Sequence, residues 1–107
     1  MLNIFKKLLR IGNDENLAEL IKNDAFLVDV RSPQEFADKS IKGVVNIPLD
    51  KVESQLAKFK GKEHIIVFCR SGNRSKQARS ILNQNGFTNV TNGGTWQNIN
   101  QFVNNYK

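Results

Sequence analysis

Six consecutive residues, Cys69-Arg70-Ser71-Gly72-Asn73-Arg74, hold the only cysteine of this 107-residue chain and set it beside two arginines and three small residues suited to turns. The run before them, Ile65-Ile66-Val67-Phe68, is β-branched and aromatic and predicts a short strand buried on both faces. After them, Ala78, Ile81 and Leu82 recur at i, i+3 and i+4, which predicts a helix over Ser75 to Asn85 with one apolar stripe. Asn85-Gly86 ends it, glycine fitting the left-handed position beyond a helix. Cys69 therefore stands where a strand passes into a helix N-terminus. The backbone N–H groups of such a loop converge on one point and attract anions.

The chemistry open to this cysteine is nucleophilic. The thiolate is the reactive form, and a free thiol has a pKa of about 8.5. A helix terminus contributes roughly 0.3–1 kcal/mol, whereas one pKa unit requires about 1.4 kcal/mol. The dipole alone does not make a full thiolate, so loop amides and an arginine must add to it. A cysteine serving only as a small buried hydrophobe has no need of Ser71, Gly72, Asn73 and two arginines directly after it. Cys69 is read as an activated nucleophile.

The single histidine, His64, lies five residues earlier on the same extended run, roughly 16 Å from Cys69. That separation excludes a Cys–His dyad within the subunit and makes His64 a solvated strand-end residue. One cysteine excludes an internal disulfide and any CxxC redox or zinc site. One histidine argues against a multidentate metal centre, and no metal is expected.

The elements that must hold this loop follow in order along the chain. Residues 1–12 form an amphipathic segment, with Leu2, Phe5, Leu8 and Leu9 at helical spacing and Lys6, Lys7 and Arg10 opposite. It is expected to pack on or flank a domain spanning 13–107. The Lys pair interrupts the apolar stretch and no small-residue cleavage site follows, so neither a leader nor a membrane contact is expected from it. Gly12-Asn13-Asp14 reads as a turn and N-cap, and Leu17, Leu20 and Ile21 as the buried stripe of the next helix. Phe26 to Val30 predicts a buried strand. Ser32 is the expected N-cap and Pro33 the first residue of a short helix, with Arg31 and Glu35 able to pair across that turn. Asp29 either accepts hydrogen bonds that support the loop near Cys69 or satisfies backbone groups at a strand end.

Val44 to Ile47 predicts a short strand ended by Pro48. Asp50 is the expected cap of a helix carrying Val52, Leu56 and Phe59, with Gly61 ending it. Asn89 to Thr91 gives a last strand, Asn92-Gly93-Gly94 a turn, and a closing helix carries Trp96, Ile99 and Val103 on one side, flanked by Phe102 and Tyr106. Short strands alternating with helices predict an α/β fold: a small parallel sheet of about four to five strands covered by helices on both faces.

Composition agrees with one folded domain, 39% hydrophobic and 24% charged. The net charge of +6 favours small anions. The basic residues are spread along the chain without aromatic interleaving, so nucleic acid is not an expected partner, and no run reaches the length of a membrane span. A lone thiol fits a reducing compartment, and the expected location is cytoplasmic.

CRSGNRS following a hydrophobic strand resembles the active-site loop of single-domain rhodaneses, a family of sulfurtransferases. LVDVRSPQEF at 27–36 and IKGVVNIPL at 41–49 resemble two further signatures of that family, and NGGTWQNI at 92–99 its Gly-Gly turn into the last helix. The resemblance covers about residues 13 to 103. The chain departs from it at Ser40, where the family often has a histidine.

The resemblance implies a rhodanese-like fold and transfer of sulfur from an anionic donor such as thiosulfate to cyanide or a thiol, through a persulfide on Cys69. It implies a donor site built from Arg70, Ser71, Gly72, Asn73 and Arg74, support from Asp29, Arg31 and Ser75, and no cofactor. A monomer is expected, with a thiol or a protein as sulfur acceptor. Two alternatives are a relay module that hands persulfide to a partner protein, and a cysteine-dependent phosphatase or arsenate reductase. Those oxyanion enzymes of related fold use a loop one residue longer, with arginine six positions after cysteine. Here that position holds Ser75.

Overall fold

The computed structural model describes residues 15–106. Helix α1 (Glu15–Lys22) leads into β1 (Phe26–Asp29), a short helix α2 (Pro33–Asp38), β2 (Val45–Asn46) and two 3-10 segments (Leu49–Lys51 and Glu53–Phe59). Then come β3 (Ile65–Cys69), α3 (Asn73–Gln84), β4 (Val90–Thr95) and α4 (Trp96–Tyr106). The amphipathic segment expected over 1–12 and the turn at Gly12-Asn13-Asp14 lie outside the described residues, as does the side chain of Tyr106.

The four strands form one sheet in the order β2-β1-β3-β4, and every pair is parallel. This is the expected α/β architecture. The order reverses between β1 and β3, because β1 is followed by β2 on one side while β3 lies on its other side. Parallel sheets of this kind bind ligands outside the carboxyl ends of the strands at such a reversal. Asp29 ends one of those strands and Cys69 the other.

All five residues of β3 are buried. Ile65, Val67 and Cys69 pack on one face with Val52, Phe59, Ala78 and Leu82. Ile66 and Phe68 pack on the other with Leu17, Ile21, Ile41 and Ile99. Both faces of the strand are dry, so its sequence is apolar at every position rather than at alternate ones. α1 contributes Leu17 and Ile21 with Leu20 beside them, and α4 contributes Ile99 with Trp96, Phe102 and Val103.

Three elements differ from the expectation. The helix expected from Asp50 is a pair of 3-10 segments, with no side-chain cap and with Gln55 at φ −123°, ψ 34° breaking the run. The backbone amide of Leu49 still bonds the carbonyl of Val30. The chain must therefore leave the sheet and turn at once, and the tight turns donating Lys51 N to Pro48 O and Val52 N to Leu49 O bring Val52 into the core. α3 begins at Asn73 rather than Ser75, which shortens the loop after Cys69 to Arg70–Gly72.

The third difference is at Asn92-Gly93-Gly94, which is strand rather than turn. Val67 pairs with Asn92 and Phe68 with Gly94, so Gly93 is the extra residue of a bulge in β4. A Cβ at Gly93 would lie 2.7 Å from Ile99 Cδ1 and 2.9 Å from Ile66 Cγ2, both in side chains of the closed core. Glycine is required there for space. Replacing Gly93 by Ala is expected to destabilise the fold by about 1–3 kcal/mol through overpacking, read as a lower midpoint in thermal or urea unfolding. An unchanged midpoint would show that the two isoleucines can move aside.

Candidate active site

Cys69 closes β3 with its side chain fully buried. The next three residues reverse the chain, and Gly72 takes a left-handed conformation (φ +99°) that places its amide over the sulfur. The Gly72 N–H donates to Cys69 Sγ at 3.0 Å, and the Ser75 hydroxyl stands 3.4 Å from the same atom. Burial alone would raise the thiol pKa. The Ser75 hydroxyl and the backbone amides of Ser75, Gly72 and Ser71 outweigh it, and the net shift is downward.

Thus Ser71, Gly72 and Ser75 converge on the sulfur, Ser71 and Gly72 through main-chain donors. Arg70 and Asn73 stand on the exposed side of the loop. Arg74 does not turn to the sulfur. Its Nη1 and Nη2 donate to the Glu35 carboxylate at 2.7 and 3.0 Å. Those bonds raise the Arg74 pKa first, and the negative charge of Cys69 adds to them.

The pairing expected between Arg31 and Glu35 is therefore replaced by two others. Arg31 turns inward, where its Nε and Nη2 donate to Asp29 Oδ2 at 3.0 and 2.8 Å, and its backbone amide to Oδ1 at 2.9 Å. Both residues are buried. An adjacent carboxylate on the same strand end is within reach of the guanidinium without exposing it, whereas Glu35 is occupied by its own helix. Arg31 Nη2 also donates to Lys39 O at 2.7 Å, and the guanidinium sits 5.1 Å from the Trp96 ring centroid. Asn46 Nδ2 donates to the carbonyls of Asp29 and Arg31, at 2.9 and 3.0 Å. Asp29 accordingly holds the strand end and the arginine, and makes no bond to the loop of Cys69.

Glu35 closes a capping box on α2: Ser32 Oγ accepts the Glu35 amide and Glu35 Oε1 accepts the Ser32 amide. The same carboxylate thus ties α2 to the cysteine loop through Arg74. In the sequence Glu35 was visible only as a partner for Arg31, because the contact spans 39 positions. Asn92 was likewise visible only as a turn residue. His64 sits at the opposite end of β3 from Cys69, as expected. It is half-buried rather than solvated, with Nε2 2.9 Å from Thr91 Oγ1, and burial lowers its pKa. Among the described residues no group of three or more His, Cys, Asp or Glu is placed to hold a metal ion, and no helix is long and apolar enough to cross a membrane.

A family model described as the rhodanese-like domain matches residues 13–95. The chain belongs to the rhodanese-like family. It is 34% identical over 74 residues to the thiosulfate sulfurtransferase PspE of Escherichia coli K12, covering 67% of this chain and 71% of that one. It is 34% identical over 87 residues to the human thiosulfate:glutathione sulfurtransferase, covering 68% and 76%. Among solved structures, a rhodanese with anions from E. coli superposes with a TM-score of 0.62 at 32% identity, covering 67% of this chain and 87% of that one.

In this rhodanese-like domain, the Glu35 carboxyl is held well below the usual carboxylate range. Its hydrogen bonds from Arg74, and then from the Ser32 backbone, lower its pKa from 4.5 to about 2. A carboxylate depressed on folding stabilises the native state above its unfolded pKa, and that contribution disappears as pH falls through the folded value. Unfolding measured from pH 6 downward is expected to show the advantage of the native chain over Glu35→Gln shrinking between pH 4.5 and about 2. A gap that does not change with pH across this window would contradict the ion pair.

Proposed function

We propose that this chain is a sulfurtransferase that carries sulfane sulfur as a persulfide on Cys69. The observation that carries the reading is the amide of Gly72 aimed at a buried sulfur, 3.0 Å away, at the mouth of α3. Donors fixed before reaction stabilise a sulfur anion without reorganising as it forms.

In the first step the Cys69 thiolate attacks the outer sulfur of an anionic donor such as thiosulfate. The new S–S bond forms as the donor's S–S bond breaks, and sulfite leaves with the electron pair. In the second step cyanide or a thiolate attacks the terminal sulfur of the persulfide, forming thiocyanate or a new persulfide and restoring the Cys69 thiolate. The two half-reactions balance without a redox partner and give ping-pong kinetics. The loop of Arg70, Ser71, Gly72, Asn73 and Arg74 supplies the donor site, and no cofactor is needed for either step. Arg74 acts through its charge while Glu35 holds its hydrogen bonds, and an incoming anion competes with that carboxylate.

The names of the relatives support thiosulfate as a donor and a thiol as an acceptor. A phosphatase is disfavoured by Arg74 at five rather than six positions after Cys69 and by its engagement with Glu35. Replacing Cys69 by Ser is expected to reduce thiosulfate-dependent turnover to background with the unfolding midpoint preserved. Retained turnover in that variant would sink the mechanism.

A further inference from the structure

The bulge at Gly93 has a second effect beyond filling the core. Bulges re-aim neighbouring side chains, and here Asn92, the residue just before the irregularity, turns towards the cysteine loop. Its Oδ1 accepts the Ser75 hydroxyl at 2.6 Å and the Gly94 amide at 2.9 Å, and its Nδ2 is 3.4 Å from Gly72 O. The Gly94 amide can only donate, so the oxygen of Asn92 must face it. The orientation of the side-chain amide is thereby fixed.

The Ser75 hydroxyl has one proton and three acceptors around it: Asn92 Oδ1 at 2.6 Å, Gly72 O at 3.1 Å and Cys69 Sγ at 3.4 Å. A neutral thiol donates to Ser75 Oγ, which leaves the hydroxyl proton for Asn92. A thiolate reverses the demand, because a charged acceptor competes better than a neutral one. Neither neutral acceptor is left bare by the change. Asn92 keeps the Gly94 amide, and Gly72 O keeps the Lys76 amide at 3.1 Å.

We propose that Asn92 is a positioning residue for Cys69: its side-chain oxygen holds the Ser75 proton while the sulfur is a thiol and releases it when the sulfur becomes charged. Asn92 therefore favours the thiol relative to what Ser75 alone would set, and keeps the sulfur from remaining fully ionised in its resting state. The charged groups around the sulfur are already committed elsewhere. Arg74 of α3 is paired with Glu35 of α2, Asp29 and Arg31 pair at the end of β1, and Arg79 of α3 bonds Val90 O. Arg70 stands on the exposed side of the loop, Lys76 of α3 is exposed, β4 and α4 contribute no charge, and His64 lies at the far end of β3. An uncharged substitution at Asn92 alters none of them.

The proposal rests on Cys69 being the nucleophile, but its test reads ionisation alone and needs no sulfur donor. The ultraviolet absorbance of the thiolate is titrated against pH in the full chain, where Cys69 is the only thiol. Asn92→Leu, which keeps the branching of the side chain without its polar atoms, and Asn92→Ala are each expected to lower the midpoint by about one pH unit. Ser75→Ala is expected to raise it, and Asn92→Leu combined with Ser75→Ala to match Ser75→Ala alone. A merely structural role would loosen the loop and raise the midpoint in the Asn92 variants. A raised or unchanged midpoint in them, or a double variant that differs from Ser75→Ala, overturns the proposal. If the leucine does not fold, the alanine variant decides alone.

Discussion

The hydrogen bond from the Gly72 amide to the sulfur of Cys69 is the constraint to which the surrounding structure is fitted. It requires the chain to reverse within three residues of the end of β3, and to do so with a left-handed residue at Gly72. A Cβ at that position would lie 3.7 Å from Gly94 Cα, an ordinary contact, so glycine is needed for its backbone rather than for space. The sulfur itself is fully buried, and burial opposes any charge there. Only the converging donors make an anion tolerable. The start of α3, the bulge in β4 and the burial of Ser75 all serve that convergence.

Arg31 and Arg74 show how charge is apportioned around this loop. Arg31 is inside, with Asp29 on one side, Trp96 on another and the carbonyl of Lys39 as a further acceptor. A buried ion pair contributes little net stability but is costly to break, about 3–5 kcal/mol when one partner is removed. It is best understood as a fastener that fixes the end of β1 beside the cysteine loop. Arg74 is at the surface, shared between the field of Cys69 and the carboxylate of Glu35. The net charge of +6 over the whole chain favours anions, and the cation nearest Glu35 is already engaged by its carboxylate.

Much of this was legible in the sequence because it depends on local pattern. The apolar run at 65–68, the stripe through Ala78 and Leu82, the Ser32-Pro33 helix start and the position of Cys69 each follow from neighbours in the chain. The failures are also physical. Asp50 followed by Val52, Leu56 and Phe59 has the spacing of a helix, but the hydrogen bond of Leu49 to Val30 forces tighter turns. Asn92-Gly93-Gly94 has the composition of a turn, and only its pairing with Val67 and Phe68 of β3 reveals it as a bulged strand. The partners of Arg31 and Arg74 could not be read from spacing, since one choice was decided by burial and the other by a contact between α2 and α3.

The central claim is that Cys69 carries the sulfur. The most direct test is the intact mass of the purified, reduced chain after thiosulfate, before and after cyanide, with the adduct located by peptide mapping. The account predicts a gain of one sulfur atom at Cys69 that cyanide removes. A free, reduced Cys69 that gains no sulfur from thiosulfate or from other sulfane donors would contradict it.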